Sequence, residues 1–453
     1  MAQPEHGRSA SAGGRSPDPC AESALDPAIW RGLTGRRVQR RNLLRAGGVA
    51  GAAAVAGSAG LSGLLAACGT EPQAAAVVET IGSDAWWARQ RLHHTVNFAN
   101  WPDYIDVLKG QHPTLQHFTD LTGISVSYSE PVSDNVTFYN SIKPSLERKQ
   151  YTGYDIIVTT TNSPALGELI SNGWLTPLNQ SMMSNFRKYA SRLAENPPWD
   201  PGNTYTMAWQ SGWTAIGYNS KAVTDPGTSV GILFDSKYAG KVGMMSDLEE
   251  LGSVGLLAIG VEPATSNESD WRKAASFLEK QKSAGIVRGY YDQSYIDKLK
   301  SGEIVISQAY SGDIFQADLQ QRYQDLRLLM PVEGGMFWTD NMCIPVHAQN
   351  PRDAMVLMDY FYQPQVEAVV AYYNDYVCPV PAAQQVLLNP GGWALQTLTE
   401  MKAEVGKPPS YAADSPVVFP TAQYQARSKN YYQFENAAAL AEWNRLFGPI
   451  AAG

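Results

Sequence analysis

The stretch Tyr154-Asp155-Ile156-Ile157-Val158-Thr159-Thr160, followed by Ser163-Pro164, decides how the chain is read. A run of β-branched residues predicts a short strand. Ser163 and Pro164 then supply an N-cap and a first helical position, so a helix is expected through Ile170, ended by Gly173. The same order of elements recurs on both sides. Upstream, His94–Phe98 reads as a strand running into a turn at Asn100-Trp101-Pro102. Leu115, Phe118 and Leu121 mark a helix face that Gly123 stops, and Ile124, Val126 and Tyr128 alternate as a strand. Downstream, Glu303–Ala309 reads as a strand after a helix that stops near Gly302, and two helical stretches between Arg352 and Tyr373 meet at Pro364. Strand alternating with helix predicts an α/β protein whose sheets are covered by helices.

The chain has 453 residues, enough for about two or three domains. Apolar residues make up 44 % and charged residues 17 %, so a sizeable core is expected. Net charge is −8, but it is uneven. Residues 1–67 carry eight Arg and four acids, +4 in all, which leaves −8 − 4 = −12 for the rest. An acidic body disfavours nucleic acid as a partner and favours cations.

The basic leader has its own logic. Gln39-Arg40-Arg41-Asn42-Leu43-Leu44-Arg45 precedes an Ala/Gly/Val/Leu run from Ala46 to Ala67, which closes at Leu65-Ala66-Ala67-Cys68-Gly69. The Arg pair resembles a twin-arginine export signal, with Gln39 and Leu43 as departures from the usual pattern. The ending resembles a lipobox, in which Cys68 takes the lipid. A retained membrane helix of about 20 residues is the alternative. The reading is an export signal over 1–67 and a flexible tether over 68–92. The body would stand outside the cytoplasmic membrane, anchored through Cys68. Outside the leader and Cys68 only Cys343 and Cys378 remain, to be either a disulfide or two buried thiols. His93, His94, His112 and His117 have no metal-ligand spacing.

No G-x-S-x-G, P-loop or H-E-x-x-H is present, so the chain is read as no enzyme and no cofactor is expected. Five segments instead carry a resemblance. They are Asn97-Phe98-Ala99-Asn100-Trp101-Pro102-Asp103-Tyr104, the Tyr154–Thr160 strand, Trp213-Thr214-Ala215-Ile216-Gly217-Tyr218-Asn219, Asp247-Leu248-Glu249-Glu250, and Glu333-Gly334-Gly335-Met336-Phe337-Trp338-Thr339-Asp340. In this order they resemble the spermidine/putrescine-binding family of ABC transporter solute-binding proteins.

The resemblance implies a two-lobed periplasmic-binding-protein-like α/β fold with crossover strands and a ligand cleft between the lobes. The lobes would be 93–214 plus 341–385, and 215–340 plus 386–453. It implies ligand contacts from Trp101, Tyr104, Thr160, Asp247, Glu250, Tyr310, Trp338 and Asp340, with Gln433 matching a family glutamine more loosely. It also implies a membrane permease as partner, with ATP hydrolysed by a separate subunit. The chemistry of the residues agrees. A polyamine is an alkyl chain bearing ammonium groups; carboxylates hold the charges and aromatic faces cover the methylenes. Asp247 and Glu250 are three apart, on one face of a helical turn. Asn162 and Tyr310 depart from the family pattern and leave the choice of amine open. Tyr290-Tyr291 and Tyr372-Tyr373 keep a ferric-iron site as an alternative, and the carboxylates keep an exported hydrolase as another.

Overall fold

The computed structural model describes residues 80–319, 323–434 and 436–452. The twin-arginine segment, the lipobox and Cys68 lie outside the described residues. The body is organised by ten strands: β1 (Thr95–Ala99), β2 (Ser125–Ser129), β3 (Ile156–Thr160), β4 (Thr206–Asn219), β5 (Val242–Met245), β6 (Val287–Tyr291), β7 (Ile306–Tyr310), β8 (Leu326–Leu329), β9 (Gly335–Cys343) and β10 (Ser428–Lys429). Their order is β2-β1-β3-β9-β4-β7-β5-β6, with β8 beside β4 and β10 beside β9.

Two strands are shared by both halves. The antiparallel pair β4/β9 runs through the middle, with Trp338 opposite Gly212 and Asp340 opposite Gln210. The far end of β9 pairs with β3, setting Asp340 opposite Thr160. The far end of β4 pairs with β7, setting Thr214 opposite Tyr310. Parallel pairs complete each half, β2-β1-β3 on one side and β7-β5-β6 on the other. Parallel strands need helical crossovers that cover both faces of the sheet, which accounts for the alternation in the sequence.

Local signals act as expected at most boundaries. The Ser163 hydroxyl accepts from Ala165 N at 3.2 Å and starts the helix Pro164–Ser171, with Pro164 in its first turn. Gly123 caps the helix Pro113–Thr122 at φ +70°, where a Cβ would be strained. Leu121 departs from its expected helix face and is 60 % exposed. Strand β3 begins at Ile156 because Asp155 is used otherwise. Its carboxylate accepts from the backbone N–H groups of Asn97, Gln349 and Asn350 and from Asn350 Nδ2, each at 2.9 Å. One buried charge thus ties β1 to the approach of the helix Pro351–Phe361.

Two boundaries differ from the sequence reading. The expected tether 68–92 contains a helix, Asp84–Arg89, capped by Ser83. Trp87 is buried there and donates its indole N–H to Pro177 O at 3.0 Å. An apolar anchor in a polar segment suffices to dock it. The second difference lies in 386–453, assigned to the second lobe. Ala394, Leu398, Met401, Val405 and Ala412 pack in one core with Val96, Phe98, Ile156 and Val158 of the first lobe. His117 stacks on Trp393 at 4.1 Å. The later part of the segment joins the second lobe, through Tyr431 on Glu250 and through Tyr432, Phe434, Trp443, Phe447 and Ile450. Cys343 and Cys378 are free buried thiols, so the disulfide alternative is not realised. No helix among the described residues is long and apolar enough to cross a membrane.

Removing the Trp87 anchor tests the docked segment. Trp87→Ala should cost about 3 kcal/mol of unfolding free energy, read by denaturant titration. Unchanged stability would return 84–89 to the status of a tether.

Candidate functional site

The parallel strands of both halves point their carboxyl ends at one place, where open α/β sheets bind ligands. A cavity of about 880 Å³ lies there. Much of its lining comes from the last residues of the strands and those just past them, and the rest from helices. β1 delivers Trp101–Tyr104, β3 delivers Thr160 and Asn162, β5 delivers Ser246 and Asp247, β6 delivers Tyr291 and Asp292, and β7 delivers Tyr310 and Asp313. The loop after β1 turns through Asp103 at φ +55°, a conformation that Asp tolerates better than most side chains.

At the floor, Asp340 is 4 % exposed and has no cation beside it among the described residues. It is held by hydroxyls: Tyr104 donates to Oδ2 at 2.7 Å and Thr160 donates to Oδ1 at 2.5 Å. Asn135 orients Thr160 in turn, with Nδ2 3.0 Å from its Oγ1. Burial pushes the Asp340 carboxyl up to about 6, against those two hydrogen bonds, which lower it. The β9 pleat puts Trp338 on the same face as Asp340. Trp338 packs edge-on to Tyr310 at 5.7 Å and tilted on Tyr376 at 5.4 Å, and Tyr376 meets Tyr104 edge-on at 5.2 Å. This cluster of rings needs glycine behind it. A Cβ on Gly212 would lie 2.6 Å from the Trp338 ring, and one on Gly312 would lie 2.5 Å from Tyr376.

A second carboxylate, Asp313, accepts from Tyr376 OH at 2.6 Å and Tyr295 OH at 2.7 Å. On the other wall Asp247 caps the helix Leu248–Ala258, accepting from Glu250 N at 3.0 Å, and stays exposed to the cleft.

Glu250 differs from expectation. Seven of the eight expected residues line the cavity, whereas Glu250 stands fully buried behind its wall and Glu249 takes the place at the surface. Its Oε1 accepts from Tyr431 OH at 2.6 Å, Thr214 Oγ1 at 2.9 Å and Asn162 Nδ2 at 3.2 Å, while Oε2 has no hydrogen-bond partner among the described residues. Burial first, and the Asp247 charge second, push Glu250 up to about 8. Gln433 is exposed and does not line the cavity; Tyr431, two residues earlier, makes the inward contact. Of the four paired tyrosines only Tyr291 lines the cavity. Tyr290 packs on the second-lobe core and Tyr372 is buried in the first, donating to Lys407 O, so the pairs do not converge on one ion.

Sequence reasoning missed Tyr376, Tyr295, Tyr431, Asp134 and Glu249. For the tyrosines no local signal exists, because each finds its partner across 18 to 181 residues of chain. The electrostatics are one-sided. Asp103, Asp134, Glu168, Asp247, Glu249, Asp292, Asp297, Asp313 and Asp340 line the cavity, against Lys143 and Lys300. Nine acids against two bases suit a cation and repel an anion.

Residues 114–401 match the family described as bacterial extracellular solute-binding protein. The Spermidine/putrescine-binding periplasmic protein of Salmonella typhimurium is 29 % identical over 295 residues, which are 65 % of this chain and 80 % of that one. The Putrescine-binding periplasmic protein SpuD of Pseudomonas aeruginosa is 26 % identical over 334 residues, 69 % and 86 % of the two chains. The solved spermidine/putrescine transporter substrate-binding protein PotD of Streptococcus pneumoniae superposes with a TM-score of 0.64 at 20 % identity, covering 79 % of this chain and 98 % of that one. The fold is thus the two-lobed periplasmic-binding-protein type. With the matched span exceeding half its length, the chain belongs to the bacterial extracellular solute-binding protein family.

Proposed function

We propose that the chain is an extracytoplasmic lipoprotein, tethered through Cys68, that binds a polyamine of the putrescine/spermidine class and hands it to an ABC import permease. The observation that carries this reading is the pairing of a ring cluster with carboxylates that form no ion pair among the described residues, in an acidic cleft. Trp338, Tyr310, Trp101 and Tyr376 offer faces for methylenes and cation–π contact, and Asp340, Asp313 and Asp247 offer acceptors for ammonium groups. Tyr104, Thr160 and Glu250 act from behind, aiming carboxylates or setting the charge of the wall. The names of the relatives support the ligand class, and family membership supports a transport role without catalysis.

The mechanism follows from the shared strands. A ligand held between Asp340 and Trp101 on one side and Asp247 on the other gains most when the lobes close on it. Binding therefore shifts a hinged population toward the closed form, which is the form a permease would select.

Asp340→Asn and Trp338→Ala should each weaken putrescine or spermidine binding by about tenfold or more, measured by calorimetry. Unchanged affinity in both variants rules out this site.

The pH dependence has a definite sign. Burial holds Asp340 near 6 and Glu250 near 8 without ligand, and a bound cation favours their ionised forms. Binding then releases protons, so affinity should rise with pH, by about tenfold or more between pH 5.5 and 8. In the free protein the same shifts act oppositely: folded values above the unfolded ones stabilise at low pH, and that stability is lost as pH rises through about 6 for Asp340 and about 8 for Glu250. Calorimetry in buffers of different ionisation enthalpy reads the proton release directly. Equal heats in all of them would show that the wall is already ionised.

A further inference from the structure

One wall of the cleft already holds an alkylammonium group. Tyr139 and Lys143 lie one turn apart on the helix Asn135–Glu147, and Glu168 lies on the neighbouring helix Pro164–Ser171. All three line the cavity. Tyr139 is buried to 6 % exposure and donates its hydroxyl to Glu168 Oε2 at 2.6 Å. Lys143 Nζ reaches the same oxygen at 3.2 Å and sits 5.2 Å from the centre of the Tyr139 ring.

The chemistry of this group is that of the ligand class already proposed. A lysine side chain is a four-carbon alkyl stem ending in a primary ammonium, as is each end of putrescine. The ring and carboxylate that receive it repeat, in smaller form, the ring-and-carboxylate pairing around Trp338 and Asp340. The Tyr139–Glu168 hydrogen bond does not depend on the lysine, so ring and carboxylate stay in position when Lys143 leaves. Glu168 is held below the usual carboxylate range, first by the Tyr139 hydroxyl and then by Lys143, so it is anionic at neutral pH. The lysine stem is flexible and its head is half-exposed, so swinging out to water costs little.

We propose that Tyr139 and Glu168 form an outer subsite for a primary alkylammonium on the cleft wall, occupied by Lys143 in the free protein and open to an amine ligand when that lysine is displaced. The subsite rests on the amine-binding reading of the cleft. It lies on a different pair of helices from the crossover strand that carries Asp340, and the tethered lysine competes with any amine that reaches it.

The test is calorimetric, on the full chain, with the inner cleft first saturated with putrescine and n-butylamine then titrated in. Lys143→Met keeps the stem and removes the charge. It should bind one equivalent of n-butylamine about tenfold more tightly than the wild type. Lys143→Met with Glu168→Gln should lose that gain, and thermal melting should show both variants folded. Equal binding by wild type and Lys143→Met, or a gain that survives Glu168→Gln, overturns the subsite. If the wild type takes up no putrescine, the amine reading of the inner cleft fails. The same variants with n-butylamine alone still decide the outer site.

Discussion

Carboxyl groups buried with no lysine or arginine paired to them among the described residues are the constraint around which this cleft is built. Asp340 and Glu250 are buried, and the partners they have are hydroxyls and an amide rather than lysine or arginine, with Glu250 Oε2 unpaired among the described residues. Asp313 is treated in the same way by two tyrosines. Hydroxyl donors steady a carboxylate without cancelling its charge. The penalty for taking such a group out of water is several kcal/mol, and a cation arriving later can recover part of it. The exposed parts of the molecule follow the opposite rule. Arg272, Glu442 and Arg445, for example, form an ion network whose members do not line the cavity.

The crossover pair β4/β9 carries this electrostatic arrangement between the two halves of the sheet. Both lobes share these strands, so the closure proposed above would bend the chain at the floor of the cleft. A register shift between Ala208 and Gln210 interrupts the ladder near that floor. Bulges of this kind bend and twist a strand locally, and they re-aim the side chains beside them. Rigidity is concentrated next to it: Gly212 and Gly312 let Trp338 and Tyr376 close against backbone, so the rings at the back of the cleft have little room to shift.

Much of the fold was legible because its signals are local. Ser163-Pro164 and Gly123 act within a few residues, and the β-branched run of β3 forms the strand it predicts. The site was legible through short motifs whose members share a strand or a turn, such as Trp338 with Asp340. Legibility stopped where partners are distant. Nothing near Tyr431 tells that it faces Glu250, and Glu250 follows Glu249 so closely that only the helix phase decides which of them meets the cleft. The placement of Gly392–Val405 failed for a related reason: an apolar helix face fits either lobe, and a ring as far away as His117 helps fix the choice.

The docked helix Asp84–Arg89 has a mechanical consequence. Trp87 fastens it to the core that includes Phe98 and Ile156. Force applied at Thr80 would enter the molecule through this core, by way of the buried indole and its bond to Pro177 O.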